Sequence, residues 1–486
     1  MAVLLSSKQT VFGYFKQVAK TILLVEQPSC YPKMAIILPF IESEIQDQYL
    51  AEDNNRPWIV GFSGGKDSTM LLQLVWKAVQ KLPAELRHRP VYVVCNDTMV
   101  ENPRIVRFIE ATLHRIEAAA ATQSMPFMVQ RTIPRLEESF WTNLLGKGYP
   151  APSSTFRWCT ERLKINPTTQ FIKSKISDSG EVIILLGTRS AESSRRSRSM
   201  AKHAVHGQRL RKHVLPNAYV YAPIKDIETN ELWQYLSQVP PPWGGTHKEL
   251  ITLYRNASTE ADCPLVIDEE TPSCGKSRFG CWVCTVVVKD KSMDGLIMNG
   301  ESWMEPLSEL RDFLILARDN PETYRQKHLR NGSIREGFWG PYLPETRADI
   351  LRRLLEAQKQ IRDEYDPTMT FITHQELVAI QVLWYRDGIF NHNVAEIYNA
   401  IFNTHLDMSK HTNKIREEEK WLREVCADNP DHFDLIQNAV KIIKTKSLMQ
   451  RKRGLQNDIE NLLDDYIDEQ KKLADASQDS AVAVTS

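Results

Sequence analysis

Ile59-Val60-Gly61-Phe62-Ser63-Gly64-Gly65-Lys66-Asp67-Ser68-Thr69 is the stretch whose reading decides the fold. A short β-prone apolar run, Trp58 to Phe62, ends at two glycines. It then meets a helix-like stretch carrying Met70, Leu71, Leu74, Val75 and Trp76. Strand, glycine turn and helix N-terminus together bind phosphate. The helix offers unpaired N–H groups and the positive end of its dipole, and glycine lets backbone approach an anion closely. Lys66, Ser63, Ser68 and Thr69 add a positive charge and hydroxyl donors. A Walker A loop requires G-x-x-x-x-G-K-[ST]. Here Val60 stands in the place of the first glycine, and Asp67 in the place of the hydroxyl that would hold magnesium.

Working outward, a second strand, Val91 to Cys95, ends at Asn96-Asp97-Thr98, and a helix spans about Arg104 to Ala121. A third strand runs from Phe127 to Ile133. A fourth, Val182 to Leu186, ends at Gly187-Thr188-Arg189, and Tyr219 to Ala222 is a further strand. Continuous apolar strands alternating with helices predict an α/β, doubly wound, mostly parallel sheet covered on both faces. In such sheets ligands sit beyond the carboxyl ends of the strands. Ser63, Asp97 and Arg189, far apart in sequence, should therefore share one rim. Residues 1–40 read as an N-terminal extension, 41–245 as the α/β domain, 246–300 as a cysteine-rich segment and 301–473 as a helical C-terminal region. Residues 474–486 read as a disordered tail. Thr346-x-x-Asp349 and Thr373-x-x-Glu376 resemble capping-box helix starts.

With 486 residues the chain suits two to four domains. Lys+Arg and Asp+Glu balance at 61 each, so any nucleic-acid surface must be a local patch. No apolar run approaches the roughly 20 residues of a membrane span, and the start lacks a signal-peptide pattern. A cytoplasmic protein with no membrane partner is the expectation.

Among the eight cysteines, four form Cys263-x10-Cys274-x6-Cys281-x2-Cys284. Four thiolates with one C-x2-C pair can hold either zinc or an iron–sulfur cluster, and spacing alone leaves both open. Cys159 stands among Arg157, Arg162 and Lys164, which could lower its thiol pKa and make it a nucleophile or sulfur carrier. Asp97, with Thr98 and Glu101, could bind ribose or magnesium, or equally cap the following helix. Gly187-x-Arg189-x-x-Glu192-Ser193-x-x-Arg196 offers two guanidiniums suited to phosphate.

Ser63-Gly64-Gly65-Lys66-Asp67-Ser68 resembles the PP-loop of ATP pyrophosphatases (the adenine nucleotide α-hydrolase-like fold). Asp97-Thr98-x-x-Glu101, Cys159 with Lys164 and Pro167, the Gly187–Arg196 motif and Pro223-Ile224 follow it in order. Together they resemble the phosphoadenosine phosphosulfate (PAPS) reductase-like branch. Within it, Arg157-Trp158-Cys159-Thr160 and the segment Pro272 to Val287 are similar to the DndC family, sulfurtransferases of bacterial DNA phosphorothioation systems. The resemblance implies ATP and Mg2+ as cofactors, with the nucleotide held by Ser63, Gly64, Gly65, Lys66, Asp67, Ser68, Thr69, Asp97, Gly187, Arg189 and Arg196. It implies a [4Fe–4S] cluster on Cys263, Cys274, Cys281 and Cys284, and chemistry by Lys66, Asp67, Cys159 and Arg189. Implied partners are DNA, a cysteine desulfurase as sulfur donor and companion proteins of the modification system. The competing expectations are a sulfonucleotide reductase or tRNA-thiolating enzyme, or a non-catalytic zinc-containing DNA-binding subunit.

Overall fold

The computed structural model describes residues 32–51, 56–190, 209–256, 280–331, 333–389 and 391–406, with parts of 420–467. Arg196, Cys263 and Cys274 lie outside the described residues, as do Cys30, the N-terminal extension before residue 32 and the tail.

Six strands form one sheet: β1 (Trp58–Gly61), β2 (Val91–Asn96), β3 (Phe127–Thr132), β4 (Val182–Leu185), β5 (Arg211–Lys212) and β6 (Ala218–Tyr221). Their order is β3-β2-β1-β4-β6-β5, parallel except for β5. Register explains why every central strand is apolar throughout. Trp58 faces both Val91 and Ile183, so β1 is paired on both edges. Trp58, Val60, Val91, Val93, Ile183 and Leu185 enter the larger core, whereas Ile59, Val94, Val182 and Ile184 enter a smaller one on the opposite face. Chain direction reverses its lateral course between β1 and β4. That switch point opens a crevice at the carboxyl ends of the two strands.

Helices cover both faces: α1 (Pro32–Tyr49), α2 (Lys66–Gln80), α3 (Pro103–Thr122), α4 (Asn166–Ser179), α5 (Thr229–Gln238) and α6 (Lys248–Asn256). Amphipathic spacing sets which side each buries. In α2, which lies directly behind the glycine turn, Met70 through Val75 are all buried together with Trp76. Such complete burial is the mark of a helix packed on several sides.

A second core forms where α7 (Lys291–Met298), α8 (Glu305–Asp319), α9 (Pro321–Tyr324), α10 (Pro344–Glu364), α11 (His374–Arg386) and α12 (Val394–Phe402) meet residues 140–163. Trp141 and Trp384 bridge the two regions, their indole N–H groups donating to Phe371 O (2.7 Å) and Leu145 O (2.8 Å). This core draws on residues from both sides of the expected boundary near 245, because Phe140, Leu144, Trp158 and Leu163 pack with Trp282 and Leu354. Two wide i→i+5 turns, Thr142–Gly146 and Thr160–Ile165, lie in that connection. Such turns recur near functional sites.

Thr373 caps α11 reciprocally with Glu376, as its spacing predicts. The Thr346 signal is not used. Helix α10 starts two residues earlier, at Pro344, and the Thr346 hydroxyl donates to Tyr324 O (3.1 Å). Proline is pre-set for the first helical position, so it claims the start.

His247 introduces α6 and is buried, its Nε2 2.8 Å from Gln73 Oε1 on α2. Burial, aided by Arg115 and Lys77, pushes its pKa down to about 4. The folded value lies below the unfolded one, about 6.5. The unfolded chain therefore binds the proton more readily between pH 6.5 and 4, and stability falls as the pH falls through that window. The contribution is up to about 3 kcal/mol. Chemical denaturation at pH 7 and pH 5 should show this loss, and His247→Gln should diminish the difference between them.

Candidate nucleotide site and thiol cluster

The glycine turn after β1 is built by conformations that only its own residues supply. Gly64 has φ 70°, and a Cβ there would lie 2.4 Å from Ile109 Cγ1 on α3. Gly65 precedes α2 with no side-chain cap, leaving the first N–H groups of the helix for a ligand or for neighbours. One neighbour is Tyr254, whose hydroxyl accepts from Lys66 N (3.3 Å). Ser68 folds back to Gly65 O (3.0 Å) and accepts from Ser63 N (3.2 Å), so Ser63 and Ser68 clasp the turn. Thr69 is buried, with its hydroxyl unpartnered.

Gly187, after β4, approaches the first turn of α2 from the other side. A Cβ at Gly187 would sit 2.9 Å from Asp67 O and 3.2 Å from Ser68 N. Backbone cannot rotate out of such a contact, so Gly187→Ala should shift the loop. The unfolding free energy should drop by about 1–3 kcal/mol. In thermal melts the stabilisation given by added nucleotide should also shrink. Unchanged melts with and without nucleotide would show that the close approach is not required.

Asp67 stands between two cations. Its Oδ2 is 3.1 Å from Lys66 Nζ, and its Oδ1 accepts from Arg189 Nε at 2.6 Å. Arg189 is 1% exposed and also donates to Ile227 O (2.9 Å) and Thr229 Oγ1 (3.3 Å). The sequence reading gave Arg189 a direct phosphate contact. In this arrangement its guanidinium is spent behind the loop, holding Asp67 and the start of α5. Of these two cations it is Lys66 that faces the crevice, 5.4 Å above the Tyr254 ring.

A cavity of about 530 Å³ lies in front of these groups. Its floor is Gly61 through Ser68 with Gly187 and Thr188, and Ile105, Phe108, Ile109 and Ile172 make an apolar side. A polar floor with an apolar wall suits a nucleotide, phosphates down and base against the wall. Asp97 is on the same rim but does not line the cavity. Its Oδ1 accepts from Met99 N (2.7 Å), closing a tight turn with Met99 at φ 63°, and burial raises its pKa. The cap of α3 falls to Asn102, which accepts from Arg104 N (3.0 Å).

Glu101 and Lys164 also line the cavity, and Glu101 meets the cysteine segment. Glu101 Oε1 receives Thr98 Oγ1 (3.1 Å), Lys164 Nζ (3.2 Å) and Cys281 Sγ (3.7 Å). Backbone pairing carries the cysteine segment here, with Trp282 N donating to Val100 O (3.0 Å) and Asn102 N to Gly280 O (3.2 Å). Cys284 N donates to Cys281 O (3.0 Å), so the C-x2-C pair forms a tight turn.

Burial pushes the Cys281 thiol up, and Glu101 adds to it. Burial also raises Cys159, with the Cys284 charge second, outweighing Thr160 and Lys164. The expectation of a lowered Cys159 pKa is therefore corrected. Arg162, one of the cations expected to lower it, is turned away to Asn143 and Tyr149. Burial works against the Lys164 charge, but Cys281 and Glu101 outweigh it and its pKa is raised.

The C-x2-C turn, with Trp282 buried behind it, suits thiolate ligation of a metal. Among the described residues no group of three His, Cys, Asp or Glu is arranged to hold a metal ion. Any complete ligand set therefore needs residues such as Cys263 and Cys274. Cys95, at the end of β2, is core, and burial pushes its thiol up to about 12. Sequence reasoning missed Tyr254, which lies 188 residues from Lys66 and carries no local signal. Among the described residues no helix is long and apolar enough to cross a membrane.

Comparison with known proteins finds similarity over part of the chain. Residues 57–286 match the family model of the phosphoadenosine phosphosulfate reductase domain. An uncharacterized protein of Methanocaldococcus jannaschii is 26% identical over 292 residues, 59% of this chain. The chain spans 46% of that relative's length. Two solved structures show partial likeness. One is phosphoadenylyl-sulfate reductase from Candida auris in a phosphate complex, with TM-score 0.27, 12% identity, and 45% of this chain and 92% of that chain covered. The other is FMN adenylyltransferase from Candida glabrata with FAD and inorganic pyrophosphate, with TM-score 0.28, 14% identity, and 51% and 74% covered. Residues 57–286, which hold the glycine turn and its cavity, are thus similar to the phosphoadenosine phosphosulfate reductase domain.

Proposed function

We infer that the protein is an ATP pyrophosphatase and sulfurtransferase that activates a DNA backbone phosphate by AMP transfer and helps replace one of its oxygens with sulfur. The observation that carries this reading is the shared wall. Lys164 and Glu101 line the nucleotide cavity, and the Glu101 carboxylate that pairs with Lys164 also accepts from Cys281, so phosphate activation and thiol chemistry are neighbours. A non-bridging oxygen of the phosphodiester attacks the α-phosphorus of ATP, and pyrophosphate leaves toward the Ser63–Ser68 turn. The P–O bond to AMP is then broken by a sulfur nucleophile. With hydrosulfide as the sulfur source, the products are the phosphorothioate, AMP, pyrophosphate and one proton, which balances without a redox step.

In this scheme Lys66 neutralises charge developing on the leaving pyrophosphate. Asp67, fixed by Arg189, orients Lys66. Magnesium bound with the nucleotide would offset phosphate charge, and a [4Fe–4S] cluster held by Cys281 and Cys284 with Cys263 and Cys274 would supply bound sulfide or electrons. Cys159, half-buried rather than sealed in a core, is the candidate sulfur carrier. The outer sulfur of its persulfide would attack the phosphorus as AMP leaves. A second thiol would then attack the Cys159 sulfur to free the phosphorothioate, and an external dithiol would reduce the disulfide left behind. DNA, a cysteine desulfurase and companion proteins of a modification system are the proposed partners, in a cytoplasmic setting.

The test is incubation with DNA, ATP and sulfide, followed by nuclease digestion. Phosphorothioate dinucleotides, with AMP and pyrophosphate in step, are the expected products. The match to a phosphoadenosine phosphosulfate reductase domain favours one competing reading, reduction of a sulfonucleotide. Sulfite released from phosphoadenosine phosphosulfate and a dithiol, with no phosphorothioate from DNA, would replace the proposed reaction with that one. A brown protein containing iron and sulfide is expected on anaerobic purification. A colourless, zinc-loaded protein would remove the cluster.

A further inference from the structure

A second cavity, of about 590 Å³, is lined by residues of 148–156 and 325–341 and shares no lining residue with the nucleotide crevice. Its walls combine rings and guanidiniums. Tyr149 lies under Arg330 and Arg162, with the guanidinium carbons 4.9 and 4.8 Å from the ring centre. Phe338 is 52% exposed with Arg335 4.2 Å above it, and Phe156 is 47% exposed. Exposed rings this large, gathered round one cavity, mark a binding surface rather than a packing remainder.

Cations predominate around this cleft, although Arg318 on its wall is paired with Asp319. Lys147, Arg162, Arg330 and Arg386 lie near one another, and burial with these three guanidiniums pulls the Lys147 pKa down to about 8. Of the neighbouring carboxylates, Asp387 is engaged by Arg347 at 3.1 Å, and Glu137 offsets part of the charge at Lys147. Although the whole chain is neutral, this is a local cationic patch.

The cleft is also tied to the thiols. Thr285, next to Cys284, donates its hydroxyl to Pro152 O (2.6 Å), and Arg318 donates to the same carbonyl (3.0 Å). Arg311 holds Cys284 O (2.9 Å). Phe156, on the cleft wall, and Cys159, at the thiols, are three residues apart in one segment.

We propose that this cleft binds an unstacked nucleotide of a single DNA strand, its base against Phe338, Phe156 or Tyr149 and its phosphates on Arg330 and its neighbours. Bases inside a duplex are stacked on each other and present no face to a phenyl ring, so exposed rings with arginines select single strands or extruded nucleotides. The choice of DNA over RNA rests on the reaction proposed above.

The test is fluorescence anisotropy of the full-length protein with a labelled oligothymidylate of about 12 nucleotides, within the site sizes usual for such grooves. Phe338→Ala and Arg330→Ala should each weaken binding by about tenfold. Arg330→Ala should also lower the slope of log affinity against log salt by about 0.7. Both side chains are exposed and outside the nucleotide crevice, so melting temperature and ATP binding should stay at wild-type values. Wild-type affinity and salt slope in both variants would overturn the proposal. So would tighter binding of duplex DNA, or of the matching single-stranded RNA. Oligothymidylate binding that depends on the cleft, without any phosphorothioate formed, would overturn the reaction and leave the cleft. Phosphorothioate formed by variants that bind as the wild type would do the reverse.

Discussion

Lys66→Met should lower pyrophosphate release from ATP by about 10²–10³-fold, the usual cost of removing one preorganised charge donor from a developing oxyanion. The lysine is 6% exposed, stands at the first position of α2 and points into the crevice. Its charge is held by Asp67 Oδ2 at 3.1 Å rather than dispersed in solvent. Methionine keeps the stem that packs there and removes the ammonium. Asp67 stays paired through Arg189 at 2.6 Å, so no uncompensated buried carboxylate is created. The melting temperature should therefore move little while the rate collapses. The measurement is steady-state pyrophosphate release beside a thermal melt. A variant that cleaves ATP at the wild-type rate would show that the loop binds phosphate without acting on it.

Arg189→Met makes a useful contrast, since that guanidinium is 1% exposed and reaches the reaction only through Asp67. Its loss should appear in stability as well as in rate, because removing one member of a buried pair leaves the other desolvated and unmatched.

The difference between these two cations explains what the sequence could and could not show. The turn from Trp58 to Thr69 is contiguous, so its strand, glycines and helix start are readable in order. The apolar strands around it are readable for the same reason, and the β4 rim at Gly187 follows from where that strand stops. Arg189 looked equivalent to Lys66 because both are cations on the rim. Which one faces the ligand depends on Ile227 and Thr229, 38 and 40 residues further on, whose oxygens draw Arg189 inward. Likewise Glu101 and Cys281 are brought together by backbone pairing across 180 residues, with no local pattern on either side to announce it. The Cys159 thiol was read from charges adjacent in sequence. In three dimensions burial and Cys284 govern it, and one of those charges, Arg162, is turned away.

Cys159→Ser separates the two halves of the proposed reaction. With a persulfide donor and a dithiol in place of free sulfide, phosphorothioate formation should fall by about 10²-fold or more, the scale of loss when a nucleophile is exchanged for a far weaker one. Pyrophosphate release should stay within a few-fold of wild type, because Cys159 does not line the nucleotide cavity. Serine is nearly isosteric and the thiol is only half-buried, so the fold gives no reason for a large change in melting temperature. Lys66→Met is the mirror image, since it removes activation while leaving Cys159, Cys281 and Cys284 untouched. A persulfide formed on the wild-type thiol by a sulfur donor, absent from Cys159→Ser and still formed by Lys66→Met, would place sulfur loading upstream of and independent of ATP cleavage. If Cys159→Ser keeps both sulfur incorporation and persulfide, the carrier lies elsewhere. Cys284, a free thiol of the C-x2-C turn, is then the next to replace. If instead Cys159→Ser stops pyrophosphate release as well, the two half-reactions are coupled through the shared wall of Glu101 and Lys164, and Lys164→Met should reproduce that joint loss.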